Sequence, residues 1–196
     1  MKVIVACEES QAVAKAFRAL GHEAYSCDVQ PCSGGKPEWH LQCDALTQIH
    51  KGWDMMIAHP PCTYLSNAAA RHLFPKGELN QDRYKLGLEA KEFFMKFLNA
   101  PIPRIAVENP IQSTVFRIPK YDQIIQPYWF GHPTQKKTCL WLKNLPPLEP
   151  TDLLEKPQST TVVGNWFNKG GIERQKNRSK TFKGVAQAMA KQWGIE

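Results

Sequence analysis

The chain has 196 residues, a hydrophobic share of 42%, an aromatic share of 10% and a formal net charge of +7. This is enough for one domain with its own core, nothing in it suggests two, and the composition is globular rather than disordered. No apolar run approaches the ~18 residues of a membrane helix, and Met1 and Lys2 lead straight into a strand-like run, so a cytoplasmic protein with no secretory signal and no membrane contact is expected.

The elements alternate from the start. Residues 2–6 read as a short buried strand. Residues 11–20 read as a helix, with Ala12, Val13, Ala16, Phe17 and Leu20 on one face, Ser10 as its N-cap and Gly21 as its stop. A second strand is expected over 23–27, ending in Asp28. A loop rich in Pro, Ser and Gly follows over 31–37, then a short element over 41–45 that closes near Asp44. Residues 54–58 read as a strand running into Pro60–Pro61–Cys62. A helix over 83–99 carries Leu86, Ala90, Phe93, Phe94 and Phe97 on one side, and 104–107 is the next strand. Strands are expected at 128–130 and 138–142, a linker-like stretch at 146–158, and a last helix at 184–193 with Val185, Met189 and Trp193 on one face. This rhythm predicts a parallel α/β sheet with helices on both faces, whose ligand lies beyond the carboxyl ends of the strands. Glu8, Asp28, Asp44, Cys62 and Glu108 all fall at such ends.

Two motifs carry chemistry. Cys62 follows two prolines, whose fixed φ angles and missing amides make a stiff turn, and a thiolate there is a nucleophile. Glu108 follows an apolar run and precedes Asn109–Pro110; a carboxylate at the mouth of a sheet can hydrogen-bond or protonate a ring nitrogen. Taken alone, the first is more often a buried structural cysteine and the second reads as a surface acid capping a loop. Together, on neighbouring strand ends, they are equipment for covalent attack on a pyrimidine. The six cysteines are expected to be reduced thiols. Cys27, Cys32, His40 and Cys43 form a local group, but neither cysteine pair is spaced C-x2-C, and no metal is expected. Residues 168–184 hold Lys169, Arg174, Lys176, Arg178, Lys180 and Lys183 against the single acid Glu173. That stretch reads as a phosphate-contacting surface or as a solvated loop.

The motifs resemble those of the cytosine-C5 DNA methyltransferases. Pro60–Pro61–Cys62–Thr63–Tyr64–Leu65–Ser66 resembles that family's nucleophile motif. Val107–Glu108–Asn109 resembles its Glu-Asn-Val motif, and Phe130–Gly131–His132–Pro133–Thr134–Gln135–Lys136–Lys137 its Gly-Val-Pro-Gln-x-Arg motif. The likeness runs from about Val3 to Leu142. It implies a Rossmann-like methyltransferase fold, S-adenosylmethionine as cofactor and DNA as partner, in a compact, phage-like member. Cys62 would add to C6 of cytosine, with Glu108 at N3 and Lys137 as the third catalytic group. Ser66, Asn109 and Gln135 would meet the substrate. Ala6, Cys7, Glu8, Ser10, Gln11, Asp28, Val29, Asp44 and Pro60 would hold the cofactor.

The chain departs from the family pattern at several points. The first loop, Ala6–Cys7–Glu8–Glu9–Ser10–Gln11, lacks the family's glycines. His59 replaces a usual glycine, Lys137 replaces an arginine, and Cys139 falls where a second arginine is usual. The stretch 145–180 is a reduced, basic recognition-type insertion within a single domain spanning 1–196. It implies short or relaxed specificity, an accessory partner, or a smaller substrate. Two further readings stay open: the same chemistry on a free cytosine nucleotide or RNA, and a non-catalytic binding protein on this scaffold. A monomer is expected.

Overall fold

The computed structural model describes residues 1–157 and 180–195. Its strands are β1 (Lys2–Ala6), β2 (Glu23–Asp28), β3 (His40–Gln42), β4 (Met55–Ala58), β5 (Arg104–Pro110), β6 (Gln123–Ile125) and β7 (Thr138–Lys143). Its helices are α1 (Ala12–Arg18), α2 (Gln81–Leu98) and α3 (Lys183–Trp193). The described strands form one sheet in the order β3-β2-β1-β4-β5-β7-β6. The pairs β1–β2, β2–β3, β1–β4 and β4–β5 are parallel, and β7 runs antiparallel between β5 and β6.

Both faces of the sheet are covered, which is why its central strands are continuously apolar. Side chains alternate sides along each strand. Val3, Val5, Met55 and Ile57 meet Val13 and Phe17 of α1 and Val185, Met189 and Trp193 of α3. Ile4, Ala6, Met56 and Ala58 meet Phe94 and Phe97 of α2 with Trp141. Each fully buried aromatic or large aliphatic side chain contributes about 1.5–3 kcal/mol. The result is an α/β, Rossmann-like architecture, mostly parallel, with helices on both faces. No helix among the described residues is long and apolar enough to cross a membrane.

Several elements differ from expectation, each for a local reason. Ser10 is not the N-cap of α1. Gln11 is, with left-handed backbone at φ 61, so the helix begins one residue later. Asn80 caps α2 by accepting from the Arg83 amide at 2.9 Å, which starts that helix before Arg83. β5 continues to Pro110 because β7 pairs along its whole length, Pro110 opposite Thr138, so Glu108 sits inside the strand. Residues 128–130 are not a strand. Pro127 suits the first position of a helical turn, and a 3-10 turn spans Pro127–Trp129, with β6 forming just before it. The expected linker is clipped down: Leu148 is buried and exchanges two hydrogen bonds with Gln123, at 2.7 and 2.8 Å. Trp193 Nε1 also donates to the Pro146 carbonyl at 3.0 Å. Of the basic stretch 168–184, only residues from Lys180 onward are among those described.

Candidate active site

The chain order reverses between β1 and β4, and in open α/β sheets the crevice outside the carboxyl ends at that point takes the ligand. Ala6 ends β1 opposite Cys27 and Ala58. Beyond it the loop keeps glycine-like backbone without glycine: Cys7 has φ 59 and Gln11 φ 61. Such residues cost about 1–2 kcal/mol each. At Gln11 the side chain offsets this. It is fully buried, its Nε2 donates to the Lys36 carbonyl at 2.7 Å, and its Oε1 accepts from the Lys36 amide at 3.1 Å and from Cys32 Sγ at 3.0 Å. The 31–36 loop is thereby latched onto the β1–α1 turn. Ser10 Oγ accepts from the Ala12 amide at 3.4 Å. Glu8 turns inward and caps α1, accepting from the amides of Val13 (2.7 Å) and Ala14 (3.3 Å). Burial pushes its carboxyl pKa up, against the pull of His59's charge and those two amides.

Cys7, Asp28 and Asp44 gather at the ends of β1, β2 and β3. Burial, with the charges of Asp28 and Asp44, pushes the Cys7 thiol up. Asp28 Oδ1 accepts from the Gln30 amide at 2.8 Å, and Asp44 Oδ1 from the Leu46 amide at 3.0 Å. Next to Asp28 in the chain, Val29 is 68% exposed. Two acceptor-only carboxylates and an exposed apolar side chain suit the hydroxyls, amino group and ring of a nucleoside. The cysteine and histidine group nearby is dispersed in other contacts. Cys27 Sγ lies 3.6 Å from Cys43 Sγ, Cys32 serves Gln11, and His40 Nδ1 bonds Ser26 Oγ at 2.8 Å. Among the described residues no group of three potential metal ligands converges.

The Cys62 turn and the strand that carries Glu108 are stitched together. Asn109, 1% exposed, donates from Nδ2 to the Pro60 carbonyl at 2.7 Å, and Gln112 Nε2 holds Asn109 Oδ1 at 2.6 Å. The Cys62 carbonyl accepts from the amides of Leu65 (3.2 Å) and Ser66 (3.1 Å), which closes a tight turn around a half-buried cysteine. The strip beyond it pairs with the strip beyond β5: Asn67 N donates to Ile111 O and Ser113 N to Leu65 O, both at 2.8 Å, with Ser66 bridged to Gln112. Asn109 therefore acts on the turn itself, and Ser66 is fixed by its backbone. Arg83 lies over Tyr64, 5.1 Å from the ring centre, and donates to the Thr63 carbonyl at 3.2 Å.

At the centre stands a pair that the motifs do not announce. Ala58 is opposite Val107, so His59 follows opposite Glu108. His59 Nδ1 lies 3.1 Å from Glu108 Oε2, and the two side chains are only 8% and 15% exposed. Burial alone would push the Glu108 carboxyl up. The hydrogen bond from His59, the charge of Lys136 and the Thr138 hydroxyl outweigh it and hold the carboxyl below its ordinary value. A carboxylate only accepts, so the shared proton sits on Nδ1. His59 Nε2 is buried and has no hydrogen-bond partner among the described residues.

The third motif divides its labour. His132 Nε2 accepts from the Gly184 amide at 2.9 Å, and Gly184 lets the Phe130 carbonyl approach where a Cβ would stand, so this segment docks the start of α3. Gln135 Nε2 donates to the Pro157 carbonyl. Lys137 is exposed, and its neighbour Lys136 is the one whose charge reaches Glu108; the Lys136 Nζ lies 5.9 Å from the Phe182 ring centre. A cavity opens beside Glu108, lined by Lys136, Thr138, Phe182, Val185 and Met189 among others. Lys136, Thr138 and Phe182 were not legible as site residues. In a strand a slip of one position reverses the side, so "Gln-Lys-Lys-Thr" alone does not say which lysine faces inward.

No family model matches the chain, and no curated protein matches it. Solved structures do. One is described as a DNA modification methyltransferase encoded within an E. coli prophage: 14% identity, 72% of this chain and 46% of the other covered, TM-score 0.43. A second is a triple mutant of Spodoptera frugiperda DNMT2: 13% identity, 82% and 56% covered, TM-score 0.40. The chain thus spans about half the length of these two proteins.

Proposed function

We propose that the chain is a compact methyltransferase that modifies cytosine at C5 in DNA, with Cys62 as nucleophile, Glu108 at the ring and S-adenosylmethionine as methyl donor. The observation that carries the reading is the bond from Asn109 to the Pro60 carbonyl, which ties the cysteine turn to the carboxylate strand beside the switch point. A target base in a duplex is first flipped out of its stack. Cys62 Sγ then bonds to C6. The C5=C6 π pair shifts towards C5 and N3, and Glu108 stabilises that charge through N3 and the exocyclic amine. When bound, S-adenosylmethionine supplies the electrophilic methyl group for C5. Loss of the C5 proton to water lets the C5–H pair re-form the C5=C6 bond as the C6–S bond breaks, which restores the ring and releases Cys62 as thiolate.

The cofactor's ribose and adenine fit Asp28 and Asp44, with Val29 against the ring and residues 6–11 and Pro60 as the floor. Gln135 and Lys137, together with Lys136, are the base-side and phosphate-side contacts. The basic stretch ending at Lys183 provides the surface for DNA, in a cytoplasmic monomer whose sequence specificity is short or relaxed or comes from an accessory partner. The shortness of residues 145–179 favours a second substrate class, a free cytosine nucleotide or RNA. Methyl transfer measured side by side on duplex DNA, single-stranded DNA, RNA and dCMP separates the two. Incorporation into DNA at least tenfold above dCMP is expected; the reverse ranking moves the assignment to nucleotides.

A further inference from the structure

Resting on the cytosine reading, we infer that His59 supplies, through Glu108, the proton that N3 takes up when Cys62 adds to C6. Three observations lead there. His59 Nδ1 and Glu108 Oε2 are 3.1 Å apart in a setting where both side chains are largely buried, so solvent does not stand between them. His59 Nε2 is enclosed and without a partner among the described residues, although a buried polar atom is normally paired. Glu108, held as a carboxylate by His59, Lys136 and Thr138, has no proton of its own to give at neutral pH.

The ionisable groups acting on the pair come from each neighbouring element. Glu8, from the β1–α1 loop, feels the His59 charge and is itself influenced by Glu9. Lys136 acts from the segment before β7, and on β7 Cys139 feels Glu108. The His59 charge thus acts on two buried carboxylates, Glu8 and Glu108.

The step balances as follows. Cys62 enters as thiolate and His59 as imidazolium. The S–C6 bond forms, the C5=C6 π pair becomes the C4=C5 bond, and the C4=N3 π pair moves onto N3. His59 Nδ1 passes its proton to the Glu108 carboxylate, and N3 takes that proton from Glu108, which leaves a carboxylate and a neutral imidazole. The same proton returns by the same route when the thiolate leaves. His59 touches no reacting atom and is a positioning and proton-supplying residue, acting through Glu108.

The test uses the full chain. His59→Gln keeps a donor for Oε2 but holds no titratable proton. It is expected to lower kcat for methyl incorporation about a hundredfold, to leave KM within about twofold, and to remove the alkaline fall of the wild-type pH profile. Independently of turnover, carbon-13 NMR of the Glu108 carboxyl should show its midpoint rising in His59→Ala. If the variants do not fold, the wild-type alkaline limb must coincide with the His59 midpoint measured by NMR. Wild-type kcat with an intact alkaline limb in His59→Gln, a limb displaced from the His59 midpoint, or an unmoved Glu108 midpoint would overturn the inference. No turnover on any cytosine substrate, with the Glu108 midpoint still moving, would instead overturn the cytosine reading and its delivery step while leaving the buried pair established.

Discussion

Cys62 and Glu108 gain meaning from what holds them. Two prolines and two amide bonds to its own carbonyl fix the Cys62 turn, and Asn109 ties that turn to β5. Cys62→Ser changes one atom in this frame, so the fold and calorimetric binding of S-adenosylmethionine should persist while methyl incorporation falls by more than about a thousandfold. Near-wild-type incorporation would exclude the covalent route. Both residues stand out in the sequence as candidates because each closely follows an apolar run and lies in a segment that resembles a family motif. His59 was legible only as a departure from glycine. Its role depends on β4–β5 register, which pairs Ala58 with Val107 and so sets His59 against Glu108. Register is a tertiary property that a single strand's sequence does not contain.

At the level of elements, α3 closes the site and its docking depends on protonation. His132 accepts from the Gly184 amide, which requires an unprotonated Nε2. Burial, opposed by the charge of Asp152, lowers its pKa from the ordinary 6.5. The folded state therefore binds this proton less readily than the unfolded chain. The stabilisation is complete above pH 6.5 and is lost as pH falls through the lower folded value. Thermal unfolding from pH 8 to 5 should show stability falling below about pH 6.5. His132→Ala should lose about 1 kcal/mol at pH 8 and much of that dependence. In α2, Gly87 lies against the Phe116 ring, which would overlap a Cβ. Gly87→Ala should therefore destabilise by about 1–3 kcal/mol in denaturant titrations, although alanine is the better helix former. The long helices and buried strands were legible because their apolar patterns are long and unbroken. The first residue of α1 was not, because a glutamine in left-handed backbone is held there by the 31–36 loop, beyond the reach of propensity. The 128–130 segment misled because aromatic residues favour strands, whereas Pro127 starts a helical turn there.

For the molecule as a whole, the parallel half and the antiparallel edge do different work. The parallel strands bring Cys7, Asp28 and Asp44 to one end, where the carboxyl ends of β1, β2 and β3 lie together. The antiparallel β7 carries Thr138 back to that same end beside Glu108. The alternation of strands and helices made the parallel half legible. The insertion of β7 between β5 and β6 was not, because neither strand's sequence names its neighbour. Under the proposed function, Cys7, Asp28 and Asp44 would line the nucleoside end of the cofactor site, and Cys62, Glu108 and His59 would act on the pyrimidine. Mass spectrometry of nucleosides, after incubating DNA with the full chain and methyl-labelled S-adenosylmethionine, tests this most directly. The account predicts label in 5-methylcytosine, abolished by Cys62→Ser. Label in N4-methylcytosine or N6-methyladenine, or no label in any nucleoside from a folded protein that binds the cofactor, would contradict it.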